Sequence, residues 1–140
     1  MKQEVVLHIR GQQSYDGQEP EVIELMTEGT MEFLDGGWDI SYEETELTGM
    51  AGVTTTFRVE PGKVILRRTG KLRSEMLFQQ GVRHESLYQL EFGALLMTVT
   101  AKQVFFDIMP DGGVIDLMYN IEIENSAAGQ VDYHLDIRAK

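Results

Sequence analysis

Glu44 and Glu46 fall on the same side of a predicted strand as a tryptophan. In "GGWDISYEETELTG" (36–49), Trp38, Ile40 and Tyr42 alternate with Asp39, Ser41, Glu43 and Thr45. Continuing the count puts both carboxylates on the apolar face. A carboxylate turned toward a core must neutralise or find a cation and hydrogen bonds. Arg68 fits that need, because Val64, Leu66 and Arg68 share one face of "KVILRRTG" (63–70). If strands 38–47, 53–60 and 63–70 run up, down and up, Arg68 arrives at the end where the glutamates lie. One strand intervenes, a gap of about 10 Å that two long side chains can bridge. The expected constellation is Glu44, Glu46 and Arg68, with Tyr42 and Thr55 beside them.

Two chemistries compete for that cluster. It can be the polar handle of a ligand cavity, an apolar wall carrying a few placed polar groups. It can instead be an ion pair closing the mouth of a solidly packed barrel, or a β-bulge near Glu43-Glu44 can turn the acids to solvent. Other reactive sets are not formed by spacing. His8 and His134 alternate outward, no H-x-H or HExxH occurs, and no G-x-S-x-G elbow is present. Cysteine is absent, which removes thiol catalysis, disulfides and Cys-based zinc sites. No catalytic residue, metal or cofactor is therefore expected.

The elements that must position the cluster are strands. Period-two alternation runs from end to end, most clearly in "QVDYHLDIR" (130–138) and "VIDLMYNIEIE" (114–124). Asp35-Gly36-Gly37, Pro61-Gly62, Thr69-Gly70, Gly81, Gly93, Pro110-Asp111-Gly112-Gly113 and Ala128-Gly129 supply turn chemistry between the runs. Connections this short join antiparallel neighbours, so the chain reads as one all-β domain over residues 1–140. The expected architecture is an up-and-down antiparallel meander of about ten strands closed into a barrel. The raw number of runs is odd. Ala101-Lys102, with little turn chemistry, is the break that reads best as a kink inside a longer strand. Gly29 suits a sharp bend within the second strand.

The sequence "SYEETELTG…TTTFRVEPGKVILRRTG…EMLFQQG…YQLEFGALLMTVTA…DGGVIDLMYNIEI…YHLDI" resembles the YwiB-like family of small bacterial proteins. That resemblance implies a calycin-type, lipocalin-like barrel and no established activity. The carboxylate site of fatty-acid-binding calycins, an inward Arg and Tyr near the last strand, is not reproduced, since Arg138 alternates outward while Tyr133 turns in.

Composition narrows the partners. Twelve Lys and Arg face 23 Asp and Glu, a net charge of −11, which repels nucleic acid and anionic membrane surfaces. The basic run "RRTGKLR" (67–73) reads as a solvated hairpin end. No apolar run reaches membrane-spanning length, and "MKQEVVLHIRG" is too short for a signal peptide, so a cytoplasmic protein is expected. Eight methionines suit a core with irregular gaps or an adaptable pocket wall. The inward aromatics Phe33, Trp38, Phe57, Phe78, Phe106, Tyr119 and Tyr133 can fill a small barrel or leave room for one ligand. The functional expectation is a non-catalytic binding module for a small apolar or amphipathic molecule. Glu44, Glu46, Arg68, Tyr42, Trp38, Phe57 and Tyr119 are its candidate contacts. A packed interaction or structural module is the alternative, and an enzyme of unknown type comes third. Leu77, Leu87, Leu96, Phe105, Met109 and Met118 alternate outward on successive strands, which predicts one apolar patch and a homodimer through the outer face of residues 74–118.

Overall fold

A computed structural model describes residues 2–15 and 17–140. Met1 and Asp16 lie outside the described residues. Ten strands form: β1 (Gln3–Ser14), β2 (Glu21–Leu34), β3 (Gly37–Glu43), β4 (Val53–Glu60), β5 (Lys63–Gly70), β6 (Ser74–Phe78), β7 (Arg83–Leu90), β8 (Gly93–Met109), β9 (Gly112–Ile123) and β10 (Ser126–Ala139). They make one antiparallel sheet in the order β6-β5-β4-β3-β2-β1-β10-β9-β8-β7. The first and last strands pair along ten positions, from Val5↔Ala139 to Ser14↔Gln130.

The runs 94–101 and 103–109 are one strand. β8 carries a bulge between Ala101 and Gln103 that shifts the inward set from odd to even residues: Val99 and Ala101 before it, Val104 and Phe106 after. The last hairpin turns at Glu124-Asn125, both with positive φ as a two-residue turn requires. Ala128-Gly129, read above as that turn, is instead a bulge inside β10.

The barrel has a tight end and a loose end. Two-residue turns at 35–36, 61–62 and 110–111 and the short 79–82 turn gather at one end, which we call the lower. The longer connections from β1 to β2 and from β3 to β4 leave and re-enter the barrel at the upper end. Inside the lower half, Val5, Leu7, Ile40, Phe57, Val64, Phe78, Ile115 and Leu135 are fully enclosed. Phe33, which alternation points inward, lies past that plug and is 57% exposed, edge-on to Trp38 at 5.1 Å.

Two places interrupt the cylinder. β2 pairs with β1 over 21–31 but with β3 only over 30–34, so its upper half leans away from β3. The corner falls at Gly29, where a Cβ would sit 2.3 Å from the Ser41 carbonyl oxygen. The other interruption is the seam between β6 and β7. A single bridge, Arg73↔Gln89, closes it with two backbone hydrogen bonds of 2.9 and 2.7 Å. Lower down, His84 Nδ1 accepts the Leu77 amide at 3.3 Å in place of a strand partner.

Candidate functional site

The upper half of the barrel encloses a cavity of about 410 Å³. Strand alternation supplies its wall: Ile9 from β1, Leu25 from β2, Met76 from β6, Met97 from β8, Ile121 from β9 and Val131 from β10. The aromatics Phe57 and Phe78 support the floor rather than the wall. Phe57 lies 5.5 Å from the Tyr133 ring and Phe78 lies 4.5 Å from Tyr119, centroid to centroid.

A polar cluster interrupts this wall. Tyr42, Glu44, Arg68, Tyr119 and Tyr133 all face the cavity. Register explains much of the grouping, because Tyr42 pairs with Thr55, Thr55 with Arg68, and Arg68 with Ser74. Glu44 lies one residue beyond β3 but keeps the strand's alternation, since its amide still donates to the Val53 carbonyl at 2.8 Å. Its carboxylate is buried and accepts from Thr55 Oγ1 at 2.6 Å and Thr48 Oγ1 at 3.0 Å. The Tyr42 and Tyr133 hydroxyls lie 3.4 Å apart. Burial is the main cause that raises the pKa of Tyr42, Tyr119 and Tyr133 above the ordinary tyrosine value, so all three remain neutral phenols.

Three sequence-derived candidates lie elsewhere. Glu46 is exposed, because the chain leaves extended geometry after Thr45, which caps a 3-10 turn (Glu46–Thr48) closed by Gly49 at φ 74°. A period of three replaces the period of two there, so Glu46 swings to solvent while Thr48 turns back onto Glu44. Trp38 begins β3 and therefore sits at the lower end, one full strand away from Glu44. Phe57 belongs to the packed plug. Arg68 reaches the cavity, but no carboxylate of the described residues forms an ion pair with it. Thr48 and Met50 were missed by strand counting; the Thr45-to-Gly49 spacing, a capping hydroxyl followed by a left-handed glycine, is the signal that finds them.

Outside the barrel, His134 Nδ1 meets Asp116 at 2.5 Å and His8 Nε2 meets Glu24 at 2.7 Å, both pairs well exposed. No cluster of described His, Asp and Glu has the geometry of a metal site. The outward apolar residues of 74–118 form two groups rather than one patch. Leu87 faces Leu96 on one side, and Phe105 lies near Met118 on the other. Between them Arg83 pairs with Glu85 at 2.7 Å and Glu122 at 3.5 Å, and Thr98, the register partner of Glu85 and Glu122, is fully buried. No helix among the described residues is long and apolar enough to cross a membrane.

Comparison with known proteins agrees with this architecture. The chain is 29% identical over 125 residues to the uncharacterised β-barrel protein YwiB of Bacillus subtilis (strain 168), covering 88% of this chain and 86% of that one. The crystal structure of the Bacillus subtilis ywiB protein superposes with a TM-score of 0.89 at 22% identity, over 99% of this chain and 93% of the other. Residues 7–137 match the model of a domain of unknown function, DUF1934, and the chain belongs to that family.

Proposed function

We propose that this protein is a non-catalytic binding module that takes a small, partly apolar molecule into the upper half of its barrel, in the manner of a lipocalin-type carrier. The observation that carries this reading is the 410 Å³ cavity, apolar on most of its wall and polar at one cluster. Its volume falls in the range of small-molecule sites, about 300–1,000 Å³. The experiment is native mass spectrometry of the purified protein for a co-purified molecule, joined to a thermal-shift screen of amphiphiles. A ligand at 100 times its Kd adds about 2.7 kcal/mol of stability. Ile121→Trp, which fills the cavity, should abolish the shift without unfolding the barrel. A screen in which no amphiphile shifts the parent protein defeats the reading.

A second observation favours a protein contact. Leu87 and Phe105 on the outer wall are about half exposed, at 54% and 50%. Apolar groups of this kind support a two-fold homodimer through the outer face of residues 74–118. Sedimentation of Leu87→Glu and Phe105→Glu beside the parent tests it: a dimeric parent and monomeric variants are expected. The cysteine-free composition suits a reducing, cytoplasmic setting.

A further inference from the structure

Two polar atoms inside the barrel have no partner, and they are neighbours. Arg68 Nε is buried and makes no hydrogen bond, and Ser74 Oγ is buried and makes none either. Arg68 on β5 and Ser74 on β6 are register partners. Both have a hydrogen to donate; Arg68 lines the cavity, and Ser74 lies behind it against the β6–β7 seam. Unsatisfied donors of this kind are costly in a finished core, the more so when charged.

Among the described residues no hydrogen bond takes those hydrogens. Glu44 lines the same cavity, yet its two oxygens already accept from Thr48 and Thr55, and it forms no ion pair with Arg68. The phenols of Tyr42, Tyr119 and Tyr133 are neutral, so they supply no counter-charge. The guanidinium therefore brings a positive charge to an apolar cavity in which Glu44, the carboxylate that shares it, is held by hydroxyls and not by Arg68.

From this geometry we infer that the cavity takes an amphiphile with a compact acidic head, a carboxylate by preference, whose oxygens accept from Arg68 while its apolar body lies along Met76, Met97 and Ile121. A planar carboxylate matches the guanidinium fork. An alcohol of the same length offers one acceptor and no charge. An ammonium head brings a like charge to Arg68.

The inference rests on the binding-module reading, and the test separates the two. Titration calorimetry of the full chain with decanoate, decanol and decylammonium compares three heads on one apolar body. Decanoate should bind at least about tenfold more tightly than decanol, with decylammonium weakest. Arg68→Met should erase the advantage of decanoate over decanol. Equal affinity for decanoate and decanol, tighter binding of decylammonium, or an advantage that survives Arg68→Met overturns the acidic-head assignment while leaving the cavity reading intact. Failure of all three amphiphiles to bind the parent protein overturns both.

Discussion

Thr55 Oγ1 donates to Glu44 Oε2 at 2.6 Å, tying the inward face of β4 to the first residue beyond β3. With Thr48 on the other oxygen, the buried carboxylate is held by hydroxyls rather than by a cation. Thr55→Val keeps the shape and removes one donor from a charged acceptor, which should cost about 1.5–3 kcal/mol in urea unfolding. In a Glu44→Gln background the same change should cost clearly less, because the two residues act as one unit.

Arg68 should behave in the opposite way. Its buried Nε has no partner, so the ligand-free protein gains little from the charge. Arg68→Met should leave stability within about 1 kcal/mol of the parent or raise it, since an apolar replacement removes a desolvation cost. Thermal denaturation that shows a loss well beyond that range would mean Glu44 depends on the guanidinium after all.

The three cavity tyrosines make stability sensitive to alkali. Their folded pKa values lie above the unfolded one, so the unfolded chain releases protons first. Their contribution is complete below about pH 10 and shrinks as pH climbs past it, by as much as ~1.4 kcal/mol per pH unit for each group. Urea midpoints should therefore fall above about pH 10. Tyr42→Phe, which removes one of the three groups, should flatten that fall.

Gly29 and Gly11 both face inward, yet they should respond differently to alanine. At Gly29 the added carbon meets the Ser41 carbonyl oxygen at 2.3 Å, a backbone atom that cannot step aside. At Gly11 the nearest atoms are on the Tyr133 ring, at 3.7 Å, an ordinary contact. Gly29→Ala should destabilise by about 1–3 kcal/mol or more, while Gly11→Ala should lie within about 0.5 kcal/mol of the parent.

Strand rhythm carried most of this architecture, since a buried face must repeat every two residues and short turns allow only antiparallel neighbours. Ala101-Lys102 was readable as a kink because turn residues are missing there. The rhythm failed where the backbone stopped being a strand. Glu44 and Glu46 look equivalent by parity, but a 3-10 turn begins between them, and only Glu44 stays inside. Trp38 and Tyr42 share a face yet sit at opposite ends of β3, and alternation carries no depth along the barrel. The missing Arg68 ion pair was equally illegible, because parity brings side chains to one layer and says nothing of which hydrogen bonds each already owns.

The near-open seam between β6 and β7 has a consequence for how the chain folds. These strands are consecutive in sequence, but one bridge joins them, whereas β1 and β10, at opposite ends of the sequence, pair along ten positions in the middle of the sheet. The molecule thus makes little of its cheapest closure and much of its most distant one. Loop closure of that length must precede the reward of pairing, which slows folding. A circular permutant opened between Gln80 and Gly81, with β10 linked to β1, turns every extended pairing into a sequential hairpin. Stopped-flow refolding of that permutant should be faster than that of the parent at similar stability, with the gain lost if the linker is too short to let β10 turn back along β1.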